Sequence, residues 1–392
     1  MRRGLLFSAL GINFLFLFVL LNDLSISYHE ARIFFEGNSL ASLIARGFCA
    51  IFGDNDFALR LPFLLIHCLN LYLLYLLSIK LLKQQNDAVF AVLLYAYLPG
   101  VMASAILVND AGAYIFLTLL AILLFLSHKF YIRLLFYFIL VVMIFIDQSF
   151  LLLYVGLFAY FSYYKMRLEA TFCAMLVAIN FGLYGFETGG RPSGHFLDTL
   201  GIFAAVFSPL VFLYFVYSVY RVLVKERKNI IFFISFASFA ICMLLSLRQR
   251  IWWEYFLPFC VIATPIMVHT FMASYRVRLP QFRLKYKLGV FVVFAFLFIN
   301  LSVVAFYPYI YLFLKEPKDH FAYKFDIARD LAFKLKTLGV SKVRTNDAKL
   351  ALRLKFYGVL DGSKALKEGC DNGKKCVNVS RAGKIVASFE LR

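Results

Sequence analysis

The chain has 392 residues, 62% of them hydrophobic and 16% charged, with a mean hydropathy of +0.80. Soluble domains carry about 45–50% apolar and about 25% charged residues, so a soluble enzyme, a disordered protein and a disulfide-stapled secreted module are excluded. The formal charge of +19 is read first as cytoplasmic loop charge, as expected for a membrane protein, and no nucleic-acid partner is expected.

Continuous apolar runs of about 17–22 residues are spanning candidates. They lie at 4–22, 61–79, 88–106, 111–127, 132–146, 149–164, 168–185, 200–220, 230–247, 252–272 and 288–308, so a polytopic α-helical membrane protein with about 11 transmembrane helices is expected. The runs are continuous rather than alternating, which excludes a β-barrel. The fifth and sixth are separated only by Asp147 and Gln148. The first follows Arg2 and Arg3 but has no small-residue cleavage site after it, so it reads as an uncleaved first span. With the N-terminus inside, seventeen Lys and Arg fall on inner loops and six on outer loops. That bias places the N-terminus in the cytoplasm and, with an odd number of spans, the C-terminus outside.

Two outer pieces are large. The first loop, 22–60, contains Leu40, Leu43, Ile44, Phe48 and Ile51 at the spacing of an amphipathic helix lying on the membrane surface. The tail, 309–392, reads as a small α+β domain. Phe325, Ala328, Leu331, Ala332 and Leu335 give a helical face, Lys349–Tyr357 a second short helix, and 377–379 with 384–391 a hairpin about Ala382-Gly383. The expected division is therefore 1–308 and 309–392. Cys370 and Cys376 are close in sequence, lie in a polar segment with Gly369 and Gly373, and fall in an oxidising compartment, so they are expected to pair. The other five cysteines sit in or beside apolar runs.

Charged groups near membrane depth are the informative ones, because burying them is costly. On the outer side these are Asp23, Glu30, Asp110, Asp147, Arg248, Arg250 and Glu254. The short inner loops are basic and hold no acidic cluster, so a site is expected to open outward. His29-Glu30 does not continue into HExxH, because Ile33 stands four residues after His29. Glu30 is a candidate carboxylate, or pairs with Arg32 on a solvated loop. Arg248 and Arg250 stand beside Trp252 and Trp253, suited either to hold a phosphate or to anchor the chain at the interface. Asp110 opens a span and is a substrate contact or a helix cap, the two being compatible. Asp147 contacts substrate or satisfies backbone freed at a helix break. The glycine-rich loop Glu187–His195 lacks the Gly-Lys-Ser/Thr of a P-loop. It is a connecting loop or one that closes over a sugar through His195. Asn378-Val379-Ser380 is a chance sequon.

The run Phe52-Gly53-Asp54-Asn55-Asp56-Phe57-Ala58-Leu59-Arg60-Leu61-Pro62 resembles the signature entering the second span of GT-C glycosyltransferases. The nearest group is the dolichyl-phosphate-mannose–protein mannosyltransferases and their bacterial relatives, the aminoarabinose lipid A transferases. His29-Glu30-Ala31-Arg32-Ile33 resembles that family's acidic pair in the first external loop. Asn109-Asp110-Ala111-Gly112-Ala113 resembles the start of its fourth span, and Arg250–Pro258 a late span. The resemblance covers residues 1–272. His29 stands where the family has Asp, and Ile33 where it has Tyr.

The resemblance implies a GT-C-like membrane domain with a periplasmic active site in a bacterial inner membrane. It implies transfer of a sugar from a polyprenyl-phosphate donor to a hydroxyl on a lipid, a glycan or a protein. Such chemistry needs a base near the acceptor and cations near the leaving phosphate. Glu30 is the first choice of base, with Asp23 as fallback and His29 tuning it. Arg248, Arg250, Asp110, Tyr255, Arg60 and His195 are the candidate substrate contacts. No metal ligands are named, and a GT-C carboxylate site works with or without a divalent metal. A transporter or lipid flippase, or a non-catalytic homologue, is the alternative reading.

Overall fold

The computed structural model describes residues 2–127, 129–185, 195–320, 322–370 and 376–391. It is mostly helical, with one small sheet near the C-terminus. Four described helices are long and apolar enough to cross a membrane: Asp56–Leu81, Arg167–Tyr184, Leu257–Val277 and Pro280–Val304. Three further stretches are pairs bent at a short break. Leu10–Asp23 turns 85° into Tyr28–Glu36, Gln85–Ala96 turns 65° into Pro99–Ile106, and His195–Phe207 turns 104° into Pro209–Lys225. Prolines explain the last two. Each stands at the first position of the second helix, where its missing N–H and fixed φ suit a helix start and cannot continue the helix before it. Ser208, ahead of Pro209, takes φ 73°. The apolar runs expected as single spans at 88–106 and 200–220 are thus broken. Ala111–Phe125, Phe130–Ile144, Phe150–Tyr163 and Ile230–Ser246 are shorter apolar helices.

The chain divides into two units. One comprises Met1–Phe14, Leu65–Ala105 and Asp110–Ile299. Its core is a continuous packing of aliphatic and aromatic side chains from Leu71 to Leu297. Helices Phe150–Tyr163 and Ile230–Ser246 approach closely at Gly156, where an added Cβ would lie 2.6 Å from Ile234 Cα. Small residues allow this approach between apolar helices. Ser235 and Ser238 donate to the carbonyls of Phe259 and Phe256, both at 2.8 Å. These bonds satisfy backbone around Leu257–Val261, where Pro258 interrupts regular pairing.

The other unit comprises Leu15–Leu64, Ile106–Asn109 and Asn300–Arg392. The tail therefore shares its unit with the first loop. The tail carries a four-stranded sheet of order β1-β2-β4-β3, with β1 Lys342–Thr345, β2 Leu360–Glu368, β3 Cys376–Arg381 and β4 Lys384–Leu391. Strands β1 and β2 are parallel, joined through helix Ala348–Phe356, and the other pairs are antiparallel. Ala382 and Gly383 form the β3–β4 turn with φ 47° and 82°. Both central residues at positive φ match the twist of the flanking strands. Helix Ala328–Thr337 and the sheet enclose Leu331, Leu335, Leu354, Leu366, Val377, Val379 and Phe389. Cys370 and Cys376 are disulfide-bonded, with Cα atoms 5.9 Å apart.

A second core in this unit joins Ile26, Ala31, Phe34, Ala45, Leu59, Phe63 and Val108 to Phe356 of the tail. The amphipathic helix of the first loop spans Leu40–Phe52, started by Ser39. Its inward side is small, made of Ala41, Ser42, Ala45 and Cys49. Leu43, Ile51 and Phe52 project outward, 62%, 76% and 56% exposed. Arg46 turns inward instead, donating to the carbonyls of Phe34 and Gly37 at 2.5 and 2.9 Å.

Candidate active site

The segment between the first span and helix Tyr28–Glu36 is held by an array of buried charges. Ser27 and Glu30 form a capping box: Ser27 Oγ accepts from the Glu30 amide at 3.2 Å, and Glu30 Oε2 accepts from the Ser27 amide at 2.9 Å. Such a box satisfies two amides that a helix start leaves unpaired. Arg60, on helix Asp56–Leu81, donates from Nε to Glu30 Oε1 at 3.0 Å and from Nη2 to Oε2 at 2.8 Å. Its remaining donors reach the carbonyls of Leu24 at 2.5 Å and Ser25 at 3.0 Å. The Val108 amide also donates to Glu30 Oε1, at 3.2 Å. Glu30 is 2% exposed and Arg60 0%.

This geometry corrects one expectation. The partner of Glu30 is Arg60, not Arg32. Its carboxylate is closed off from solvent, with four donors directed at it. The buried Arg60 guanidinium is engaged by Glu30 and by the carbonyls of Leu24 and Ser25, and lies 4.0 Å from Asp56 Oδ1.

Tail residues complete the array. The Tyr357 hydroxyl accepts from the Ile26 amide at 2.8 Å and donates to Asp56 Oδ1 at 2.6 Å. Burial, and the Asp56 carboxylate beside it, push the Tyr357 phenol well above its usual pKa, so it stays protonated and keeps donating. Arg329 donates to the carbonyl of Asn22 and, at 3.0 Å, to that of Asp23. It also lies 3.6 Å from Asp56 Oδ2. Phe325 O accepts from both the amide and the hydroxyl of Ser25, at 2.9 and 2.5 Å. The side chains of Asp23 and His29 are exposed.

In the other unit, Asp110 precedes helix Ala111–Phe125 without making a side-chain cap bond. Asp147 precedes helix Phe150–Tyr163, and its Oδ1 accepts from the amide of Ser149 at 2.7 Å and from the Ser149 hydroxyl. Tyr114 is buried one turn into helix Ala111–Phe125, and its amide donates to the carbonyl of Asp110 at 3.0 Å. Tyr255 lies in the 3-10 turn Trp253–Tyr255, directly after Glu254. Arg248 and Arg250 are exposed in the stretch leading into that turn. Among the described residues, no group of three or more His, Cys, Asp or Glu is placed to hold a metal ion.

Comparison with known proteins bears on the fold. Residues 39–185 match the family model described as dolichyl-phosphate-mannose-protein mannosyltransferase. The crystal structure of ArnT from Cupriavidus metallidurans in the apo state is similar, with a TM-score of 0.56 and 14% identity. The similarity covers 91% of this chain and 74% of that one. The chain has the GT-C fold. No curated protein matches it.

On this GT-C fold, the array around Glu30 begins upstream of the matched segment, while Asp56, Arg60, Asp110, Tyr114 and Asp147 fall inside it. His195 opens helix His195–Phe207, where its carbonyl accepts from Thr199 at 2.8 Å. The glycine-rich loop before it lies outside the described residues. Sequence reasoning missed Tyr357, Arg329 and Tyr114. Each acts through partners distant in sequence or was hidden in an apolar run. For Tyr114 the available signal was a phenol four residues after Asp110, on the same helical face.

Proposed function

We propose that this GT-C chain is a membrane glycosyltransferase. It moves a sugar from a polyprenyl-phosphate donor to a hydroxyl on a lipid, glycan or protein acceptor. The work takes place on the periplasmic face of a bacterial inner membrane. The observation that carries this reading is the anchored segment 22–30 on a GT-C fold: its backbone is fixed at Asn22, Asp23, Ser25 and Ile26, while Asp23 presents an exposed carboxylate. A fixed backbone with a solvent-facing carboxylate is what a general base requires. The orientation rests on the charge bias of the loops, seventeen to six.

In this reading Asp23 accepts the acceptor hydroxyl proton as its oxygen attacks the anomeric carbon. The bond from that carbon to the phosphate oxygen breaks, and polyprenyl phosphate leaves with the electron pair. Displacement by a single activated hydroxyl inverts the anomeric centre. Arg248 and Arg250 neutralise the departing phosphate, since a guanidinium matches phosphate oxygens in a fork. Asp110, Tyr255 and His195 contact the sugar or the acceptor. Glu30 and Arg60 hold the segment that carries the base.

Mass spectrometry of envelope glycolipids and glycoproteins from cells with and without the gene tests the reading. A glycoform that disappears with the gene and returns with it supports transfer. An unchanged glycan profile together with a defect in lipid distribution across the membrane would favour a flippase.

A further inference from the structure

The tail's contacts with the segment ahead of helix Tyr28–Glu36 are too specific for generic packing. Over five residues, Asn22 to Ile26, four have backbone groups bound by tail side chains or tail backbone. Arg329 takes the Asn22 and Asp23 carbonyls, Phe325 O takes the Ser25 amide, and Tyr357 takes the Ile26 amide. The Tyr357 hydroxyl is itself oriented by Asp56, one turn before Arg60 on the same helix. Arg60 holds the carbonyls of Leu24 and Ser25. The segment is thus gripped from one side by Arg60 and from the other by the tail, and the tail's grip falls on the residue with the exposed carboxylate. Phe34 and Phe356 stack edge to face with ring centres 5.4 Å apart, and the Lys349 ammonium lies 5.7 Å over the Tyr28 ring. These contacts tie the same tail helix to the helix that follows the segment.

We propose that Tyr357 and Arg329 are positioning residues for glycosyl transfer: the C-terminal unit fixes the backbone from which Asp23 acts. This rests on the transferase reading above. Arg329 determines where the Asp23 carbonyl sits, and so where its side chain starts. Tyr357 sets the turn three residues later, and neither side chain contacts substrate. A displacement of about an ångström at a base costs on the order of 10²-fold in rate.

The test uses the full-length protein in nanodiscs, with Tyr357→Phe, Arg329→Gln, Arg329→Lys and, as a control on the exposed face of the tail, Phe333→Ala. Hydrogen exchange by mass spectrometry follows the peptide covering 22–30. Turnover is measured with polyprenyl-phosphate sugars extracted from the native membrane and acceptor from the same source. Tyr357→Phe keeps the ring and removes only the hydroxyl, so the melting temperature serves as a check on folding. The expected result is faster exchange confined to 22–30 and kcat down by about tenfold or more, with the donor KM unchanged. Arg329→Lys, which keeps one donor on the carbonyls, should recover part of what Arg329→Gln loses, and Phe333→Ala should match the wild type. Unchanged exchange at 22–30 in Tyr357→Phe overturns the grip. Faster exchange with wild-type kcat overturns the positioning role and leaves the transferase reading intact. A wild type that makes no product from any of these donors sinks the transferase reading, and the positioning role with it.

Discussion

Arg60 and Glu30 meet through two nitrogen–oxygen contacts of 3.0 and 2.8 Å, both side chains closed to solvent. The pair ties helix Asp56–Leu81 to helix Tyr28–Glu36, and it pins the carbonyls of Leu24 and Ser25 between them. A buried pair of this kind adds little net stability over apolar residues of the same size. Removing one partner is severe, because the other charge is left buried and unpaired.

Glu30→Gln is therefore expected to lower stability by about 3–5 kcal/mol, despite its conserved shape. The double change Glu30→Leu with Arg60→Met should cost less than either single change. Melting temperatures of the purified protein in one detergent decide this. A Glu30→Gln protein that melts with the wild type would return the residue to the list of accessible bases.

Why the sequence showed one half of this pair and not the other is a matter of distance along the chain. Glu30 was visible as a charged residue just past a span. Its nearest cation in sequence, Arg32, was the natural partner to name, but Arg32 points to solvent and Arg60 arrives from thirty residues away. Tyr357 and Arg329 lie some three hundred residues from their partners, and local pattern carries no trace of such a contact. The apolar helices were legible as continuous runs, but among the described residues four are long enough to cross a membrane, or seven if each bent pair is one span, against the eleven expected. The breaks at Pro99 and Pro209 were not read, because apolar content alone runs through both prolines. The hairpin of the tail was legible from Ala382-Gly383 and its apolar flanks. Strands β1 and β2 were not, because only Val343 in one and Leu366 in the other are buried, which leaves no alternation to read.

The Cys370–Cys376 bridge closes a short loop between β2 and β3. A loop this size is worth about 2 kcal/mol in the chain-entropy picture. Cys376→Ser should lower the unfolding free energy by about that amount while leaving glycosyl transfer intact. Intact mass with alkylation should show both thiols only after reductant. Free alkylation of both cysteines in protein taken directly from the membrane would contradict the bridge.

His320 makes the tail sensitive to acid. It is buried, its Nε2 donates to Tyr307 O at 3.0 Å, and its Nδ1 accepts from the Ala322 amide at 3.0 Å. Its ring stacks on Tyr311 with centres 3.9 Å apart. Burial pushes its pKa below the usual value, and protonating Nδ1 would set two donors against each other. A depressed pKa means stability that is present above the unfolded value of about 6.5 and is lost as pH falls through the folded one. Asp326, whose carboxyl burial pushes upward, works in the opposite sense, so a difference between variants is needed to isolate the imidazole. His320→Gln keeps one donor and one acceptor and should flatten the decline between about pH 7 and about pH 5. Urea unfolding at both pH values measures it. An equal decline in the variant would place the acid sensitivity elsewhere.

Asp23 carries the proposed chemistry, and its substitution discriminates most sharply. Its side chain is exposed, and only its carbonyl is engaged by Arg329. Asp23→Asn leaves that carbonyl in place, so stability should stay within about 0.5 kcal/mol of the wild type. A positioned base contributes about 10²–10⁴ in rate, so turnover should fall by that factor with the donor KM little changed. Glu36→Gln, an exposed carboxylate change at the end of helix Tyr28–Glu36, is the control and should keep full activity. His29 is the other exposed titratable group of the segment. It stands where the resembled family has an acidic residue. An imidazole is a competent general base, which sets the decisive contrast. If Asp23→Asn retains turnover and His29→Gln loses it, the base is the imidazole.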